Sequence, residues 1–222
     1  MSETDSFINE VSEEVRRDQL YGYIRRYGWI AVTLIVLLVG GAAWNEFSKA
    51  RETAKAQALG DALLDAMGAD DQSERANALA GVAAEGPARA ISVLLTAAAQ
   101  LDAGEGAAAA DTLNSLAVDQ DVPAIYRDLA AFKAVMADDR LTVQDRRVQL
   151  EALAQPGAPF GLLAQEQLAL LDVGEGNTEA AVAKLRRILE DANVTRGLRE
   201  RAQTLIVALG EEVEPTAELA SE

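Results

Sequence analysis

The sequence predicts an all-α protein: an N-terminal amphipathic helix, one membrane-crossing helix, and a stack of about four helix pairs closed by a capping helix. Three observations predict it. An uncharged run extends from Tyr27 to Asn45 in an otherwise polar chain. Strand signals are nearly absent, with no sustained period-two alternation of β-branched residues. Short turn-like strings recur at a near-constant spacing through an Ala-rich remainder.

The run centres on WIAVTLIVLLVGGAAW, Trp29–Trp44. In hydrocarbon every backbone N–H and C=O must be paired within the segment, so such a run inserts as a helix. At about 1.5 Å per residue its nineteen positions reach roughly 28 Å, enough for a bilayer core of about 30 Å. Trp29, Leu34, Leu37, Gly40, Gly41 and Trp44 define the span. Tyr21, Tyr23, Tyr27 and Trp29 cluster at one end and Trp44 and Phe47 at the other, where amphipathic rings favour the headgroup layer. Gly40, Gly41, Ala42 and Ala43 form a small-residue patch that lets another helix approach closely. A buried core helix is disfavoured because the run has no polar face. A cleavable signal, with Gly41 and Ala43 at its site, would have a long charged n-region and leave Trp44 as the first mature residue. Of a twin-arginine signal only Arg25-Arg26 is present. Arg16, Arg17, Arg25 and Arg26 precede the span, and Lys49, Arg51 and Lys55 follow it, a small excess that favours a cytoplasmic N-terminus.

The parts are thus an amphipathic segment at 1–26, the span at 27–45, a helical-repeat region at 46–209 and an acidic tail at 210–222. In the first part, Phe7, Ile8, Val11 and Val15 make one apolar stripe of a helix over 6–26. Asp5 or Ser6 caps it. The tail contains Pro215 and reads as disordered.

Composition excludes much chemistry. The chain carries 20 Lys+Arg against 36 Asp+Glu, a net charge of −16, with no His and no Cys. Such an acidic chain repels nucleic acid and anionic lipid. Thiolate and histidine nucleophiles, disulfides, and Cys- or His-bound metals are excluded. The chain reads as a non-enzyme with no catalytic set, cofactor, metal or small-molecule substrate. GEGAAA, Gly104–Ala109, has the look of a dinucleotide loop, but no strand precedes it, so a turn between helices is expected. Carboxylates at Asp70-Asp71, Asp119/Asp121 and Asp138-Asp139 lack the spacing of a calcium loop and read as helix ends or caps. Arg146-Arg147 and Arg186-Arg187 read as exposed faces that balance nearby acids.

Helix starts are legible at Asp71 with Glu74 and at Thr142 with Asp145, which have capping-box spacing. Pro87, Pro123 and Pro159, each 36 residues apart, suit first helical turns. LDAGEG at Leu101–Gly106, MADDRL at Met136–Leu141 and LDVGEG at Leu171–Gly176 lie 35 residues apart, with a weaker AMGADD at Ala66–Asp71. A period near 34–36 of two helices is the signature of a tetratricopeptide-type solenoid. The pairs are Phe47–Met67 with Ser73–Ala84, Ala88–Ala103 with Ala107–Val118, Ala124–Ala137 with Val143–Ala154, and Phe160–Val173 with Thr178–Ala192, capped by Leu198–Leu209. Gly176, Ala181, Leu185 and Ile188 fit the second-helix pattern, whereas Leu113, Leu116 and Ala117 come two residues early. Degenerate, Ala-rich units are expected, stabilised mainly between neighbours.

FINEVSEEVRRDQLYGYIRRYGWI, Phe7–Ile30, followed by a span and an Ala-rich helical-repeat region, resembles the YfgM-like ancillary subunits of the bacterial SecYEG translocon. Such proteins are also described as tetratricopeptide repeat-like domain proteins. The resemblance implies a single-pass inner-membrane protein with a cytoplasmic N-terminus and a periplasmic repeat domain. It also implies association with translocon subunits and with periplasmic chaperones, including a membrane-anchored prolyl-isomerase-like partner. A membrane-anchored protein-interaction module follows, with Tyr126, Phe132 and Phe160 as candidate partner contacts because large aromatics are enriched at binding hot spots. The alternative is a self-associating cell-envelope scaffold or regulatory membrane protein assembled through Gly40–Ala43.

Overall fold

A computed structural model of the chain describes residues 3–212, with side chains from Arg25 onward except at Ala31. The stripe expected at Phe7–Val15 and the tail beyond residue 212 lie outside these described side chains and residues. Nine helices and no strand occur among the described residues: α1 (Glu3–Met67), α2 (Gln72–Ala80), α3 (Pro87–Asp102), α4 (Gly106–Ala117), α5 (Ala124–Ala137), α6 (Val143–Leu153), α7 (Gly161–Gly174), α8 (Thr178–Glu190) and α9 (Arg196–Ala208). The chain divides into two compact units, residues 1–58 and 59–222.

In the first unit the expected amphipathic helix, span and stalk are one unbroken helix. The reason is local. No proline lies between Glu3 and Met67, and Gly40-Gly41 sits inside the apolar stretch, where leaving the helix would strand polar backbone. Residues from Arg25 on include a stretch long and apolar enough to cross a membrane, none of it buried within the protein.

The second unit is built from four small cores in chain order. The last turns of α1, with α2 and α3, enclose Leu63, Ala66, Ala76, Leu79 and Ala99. Next, α3, α4 and α5 enclose Ala90, Ala97, Ala109, Leu113, Leu116 and Ala130. Then α5, α6 and α7 enclose Val135, Leu150, Ala164 and Leu168. Finally, α7, α8 and α9 enclose Ala169, Leu185, Ile188, Leu198 and Ile206. Each of α3, α5 and α7 feeds two cores from different sides, so packing runs between sequence neighbours. Full burial of one such Leu or Ile stabilises by about 1.5–3 kcal/mol.

Capping sets several starts. Asp71 accepts a hydrogen bond from the Glu74 amide at 2.9 Å. Thr142 accepts from the Asp145 amide at 3.1 Å and donates to its carboxylate at 2.7 Å. Thr195 caps α9, which therefore begins two residues earlier than the apolar pattern indicates. The prolines are less uniform than expected. Pro87 is the first residue of α3, Pro123 is the N-cap of α5, and Pro159 precedes the N-cap Phe160 of α7. Helix α2 ends at Ala80 rather than Ala84. Beyond it Ser92 donates to the Val82 carbonyl at 3.1 Å, holding the chain in a non-helical path.

The repeat register also differs from the string match. LDAGEG turns at Gly104 (φ +77°), its fourth residue, whereas LDVGEG turns at Gly176 (φ +78°), its sixth. In each turn the amide after the glycine closes a wide loop at 2.8 Å, Glu105 to the Gln100 carbonyl and Asn177 to that of Asp172. The two turning glycines are 72 residues apart, as are the buried pairs Leu113/Leu116 and Leu185/Ile188. Aligned at this 72-residue offset instead of the 70 of the strings, Leu113 and Leu116 show no lag.

Candidate protein-interaction surface

The span residues come first. Trp29, Leu34, Leu37 and Trp44 are each more than half exposed along α1. A side chain added at Gly40 or Gly41 would meet no neighbour. Just beyond, the Arg51 guanidinium lies 4.6 Å from the centroid of the Phe47 ring one turn earlier, a cation–π contact suited to an interface.

The second unit presents an apolar surface of its own. On α3, Ile91, Leu94 and Ala98 follow i, i+3, i+7 spacing and share a face. Ile91 is 55% exposed, Ala98 is exposed and Leu94 is half-buried. On α5 one face carries Ile125, Leu129, Phe132 and Met136. Ile125 is 48% and Met136 37% exposed. On α7 one face carries Leu163, Gln167 and Leu170, the last of these exposed. Helices α3 and α5 touch at a few points, although α4 lies between them in sequence. The charged residues at these faces are few: Asp102 near the end of α3, and Asp128 and Lys133 flanking the stripe on α5.

Of the expected contacts, Tyr126 is exposed on α5 next to Ile125. Phe132 is half-buried against the third core. Phe160 caps α7 rather than lying within it and stacks on Phe132, centroids 6.3 Å apart. Phe132 and Phe160 are therefore brought together, and Tyr126 stands apart from that pair. Phe160 and Leu163 also line a groove of about 550 Å³ with Pro156, Pro159, Asp191 and Leu198.

Ion pairs fix the helices behind this surface. Asp172 on α7 is buried and accepts from Arg147 of α6 at 2.8 Å and from Lys184 of α8. Arg147 also reaches Glu175 at 2.9 Å. Burial pushes the Asp172 carboxyl up, but the bonds from Lys184 and Arg147 outweigh it and hold the group below the usual carboxylate range. Glu166, buried on α7, takes a bidentate grip from Arg201 of α9 at 2.7 and 2.8 Å. The bond to Glu166 raises the Arg201 guanidinium above its ordinary value.

Arg146-Arg147 is accordingly not an exposed face. Arg147 is largely enclosed by its acids, and Arg146 donates to the Asp138 carbonyl at 2.7 Å. Arg186 does meet an acid at the surface, Glu211 at 3.1 Å. The acidic pairs act locally. Asp119 accepts from the Asp121 amide and from Arg89, and Asp138 from Arg140. Among the described residues no group of three acids is placed to hold a metal ion.

No protein-family model matches the chain, and no curated protein or solved structure matches it.

Proposed function

We propose that the chain is a membrane-anchored protein-interaction module. It has the architecture of a tetratricopeptide-like solenoid held to the bacterial inner membrane by one span. Its N-terminus lies in the cytoplasm and its repeat domain in the periplasm. It serves as an ancillary subunit of the SecYEG translocon, linking emerging exported proteins to periplasmic chaperones. The observation that carries the reading is the run of exposed apolar side chains on α3, α5 and α7 in a chain that also bears an exposed membrane-length helix. Packing between sequence neighbours through chained small cores supports the solenoid, because each helix pair leaves a face that only the next pair covers. Tethering raises the effective concentration of such a surface for clients at the membrane, so weak contacts suffice.

Affinity purification of the tagged chain from detergent-solubilised membranes, followed by mass spectrometry, tests it. Recovery of translocon subunits and periplasmic chaperones supports the reading; their consistent absence defeats it. The second reading, a self-associating scaffold, is favoured by one observation, the open surface at Gly40 and Gly41. Crosslinking through the span separates the two, since a dimer of this chain alone points to the scaffold.

A further inference from the structure

Resting on the self-association reading, we propose that two copies of the chain pair in parallel along one face of α1, through the span and on into residues 46–58. Such pairing uses the first unit alone, whereas the module reading stands on the second.

Residues 46–58 are exposed on every side. A helix in water owes most of its stability to a packed face, and this stretch has none among the described residues. Its charges are nonetheless arranged. Glu46, Lys49, Arg51, Glu52 and Lys55 all avoid the line Phe47, Ala50, Ala54 and Gln57, whose spacings alternate three and four. The same line runs back through Ala43, Gly40, Val36 and Thr33 in the span. These are the a and d positions of a heptad pattern sustained over about three and a half repeats. Thr33 suits such a seam because its hydroxyl donates to the Trp29 carbonyl at 2.8 Å. Gly40, Ala43, Ala50 and Ala54 let two backbones approach closely. A period of 3.5 keeps the line facing its partner as the helices supercoil.

The flanks select the occupant. On this heptad Glu46 takes position g and Arg51 takes position e, five residues later. In a parallel pair a g residue faces the other helix's e residue five positions on, and charges there set partner and orientation. Glu46 of each copy therefore meets Arg51 of the other, twice by symmetry. Neither residue has an ion pair among the described residues. The Arg51 guanidinium instead lies 4.6 Å from the centroid of the Phe47 ring, which keeps the charge at the edge of the seam. A different membrane protein would need an acid and a base at this spacing and at this depth. A second copy has both, because identical spans inserted in one orientation lie parallel and in register.

The test uses isolated membranes that hold the full chain, with copper phenanthroline as oxidant. The chain has no Cys, so each introduced cysteine reports one position, and a disulfide needs Cα atoms within about 7 Å. Ala50→Cys and Ala54→Cys, on the line, are expected to form disulfide dimers at least tenfold faster than Ser48→Cys, Glu52→Cys and Ala56→Cys, on other faces. At low salt, Glu46→Arg should slow the Ala50→Cys dimer about threefold or more, and so should Arg51→Glu. The two exchanges together should restore it.

Equal rates at all five positions overturn the proposal, as does failure of the double exchange to restore the dimer. Linkage of Ala50→Cys to a different protein and not to itself gives the face to that protein and overturns the proposal too. Energy transfer between differently tagged copies reports pairing of any kind. Transfer with a flat cysteine pattern defeats the seam proposed here and leaves self-association standing, whereas no transfer defeats both.

Discussion

The ring of Phe132 on α5 stacks on that of Phe160 at the head of α7, with 6.3 Å between centroids and 16° between planes. The contact ties the third helix pair to the fourth at the point where the chain turns through Pro156–Pro159. Aromatic pairs of this kind add about 0.5–1.5 kcal/mol beyond area burial. Phe132→Ala is expected to destabilise the second unit by about 2–3 kcal/mol, less than a fully buried Phe because the residue is half-buried. A double-mutant cycle with Phe160→Ala, read by urea unfolding, should return a coupling near 1 kcal/mol. A coupling of zero would make the stacking incidental.

Two glycines of the LDAGEG and LDVGEG strings, Gly106 and Gly174, answer to different constraints. A Cβ on Gly106 would lie 2.7 Å from the Ala137 carbonyl and 3.1 Å from the Asp139 carboxylate. Gly106→Ala should therefore cost about 1–3 kcal/mol through forced separation of α4 from the end of α5. Gly174, which occupies the string position of Gly104, is helical and faces open space. Gly174→Ala should stabilise by up to about 1 kcal/mol. Thermal unfolding of the two variants is expected to shift in opposite directions.

Asp172 contributes to the acid sensitivity of the second unit. Its folded carboxyl titrates below the unfolded value of about 3.9, so its contribution is complete above that value and is lost as pH falls through the folded one. Asp172→Asn should lower stability at neutral pH by about 3 kcal/mol, because Arg147 and Lys184 lose their shared buried partner. It should also flatten the dependence of stability on pH below about 4. Urea midpoints measured from pH 7 to pH 3 check both expectations.

The proposed anchoring and orientation yield a topology test that the absence of Cys makes clean. Single cysteines replacing Arg26 and Lys49 should react with a membrane-impermeant maleimide from opposite sides of the inner membrane, Lys49→Cys from the periplasm. The chain should remain in the membrane pellet after alkaline carbonate. Leu37→Arg places a charge near the span centre, at a cost of about 2.5–3.5 kcal/mol, and should reduce that retention.

Much of the helix layout is legible in the sequence. Caps at Asp71 and Thr142 mark helix starts through the chemistry of unpaired amides, and that chemistry is local. What was not legible depends on tertiary packing. The segments read separately at 6–26, 27–45 and 47–67 run on as one helix because nothing in the sequence between them competes with it. Arg147 looked like a surface charge because its partner Asp172 is remote in sequence. The apolar faces of α3 and α5 escaped notice because these helices are apolar nearly all round. Leu94 belongs to the second core and its neighbour Leu95 to the first, so periodicity alone cannot say which side stays open. Tyr126 and Phe132 were singled out for ring size, whereas the exposed face around them is mostly Ile, Leu and Met.

Chained small cores have a consequence for how this fold varies over time. With no central nucleus to rebuild, insertion or deletion of one helix pair of about 36 residues disturbs only the two junctions beside it. Descendants of such a chain are free to lengthen or shorten the second unit by whole helix pairs while the remaining pairs keep their internal geometry.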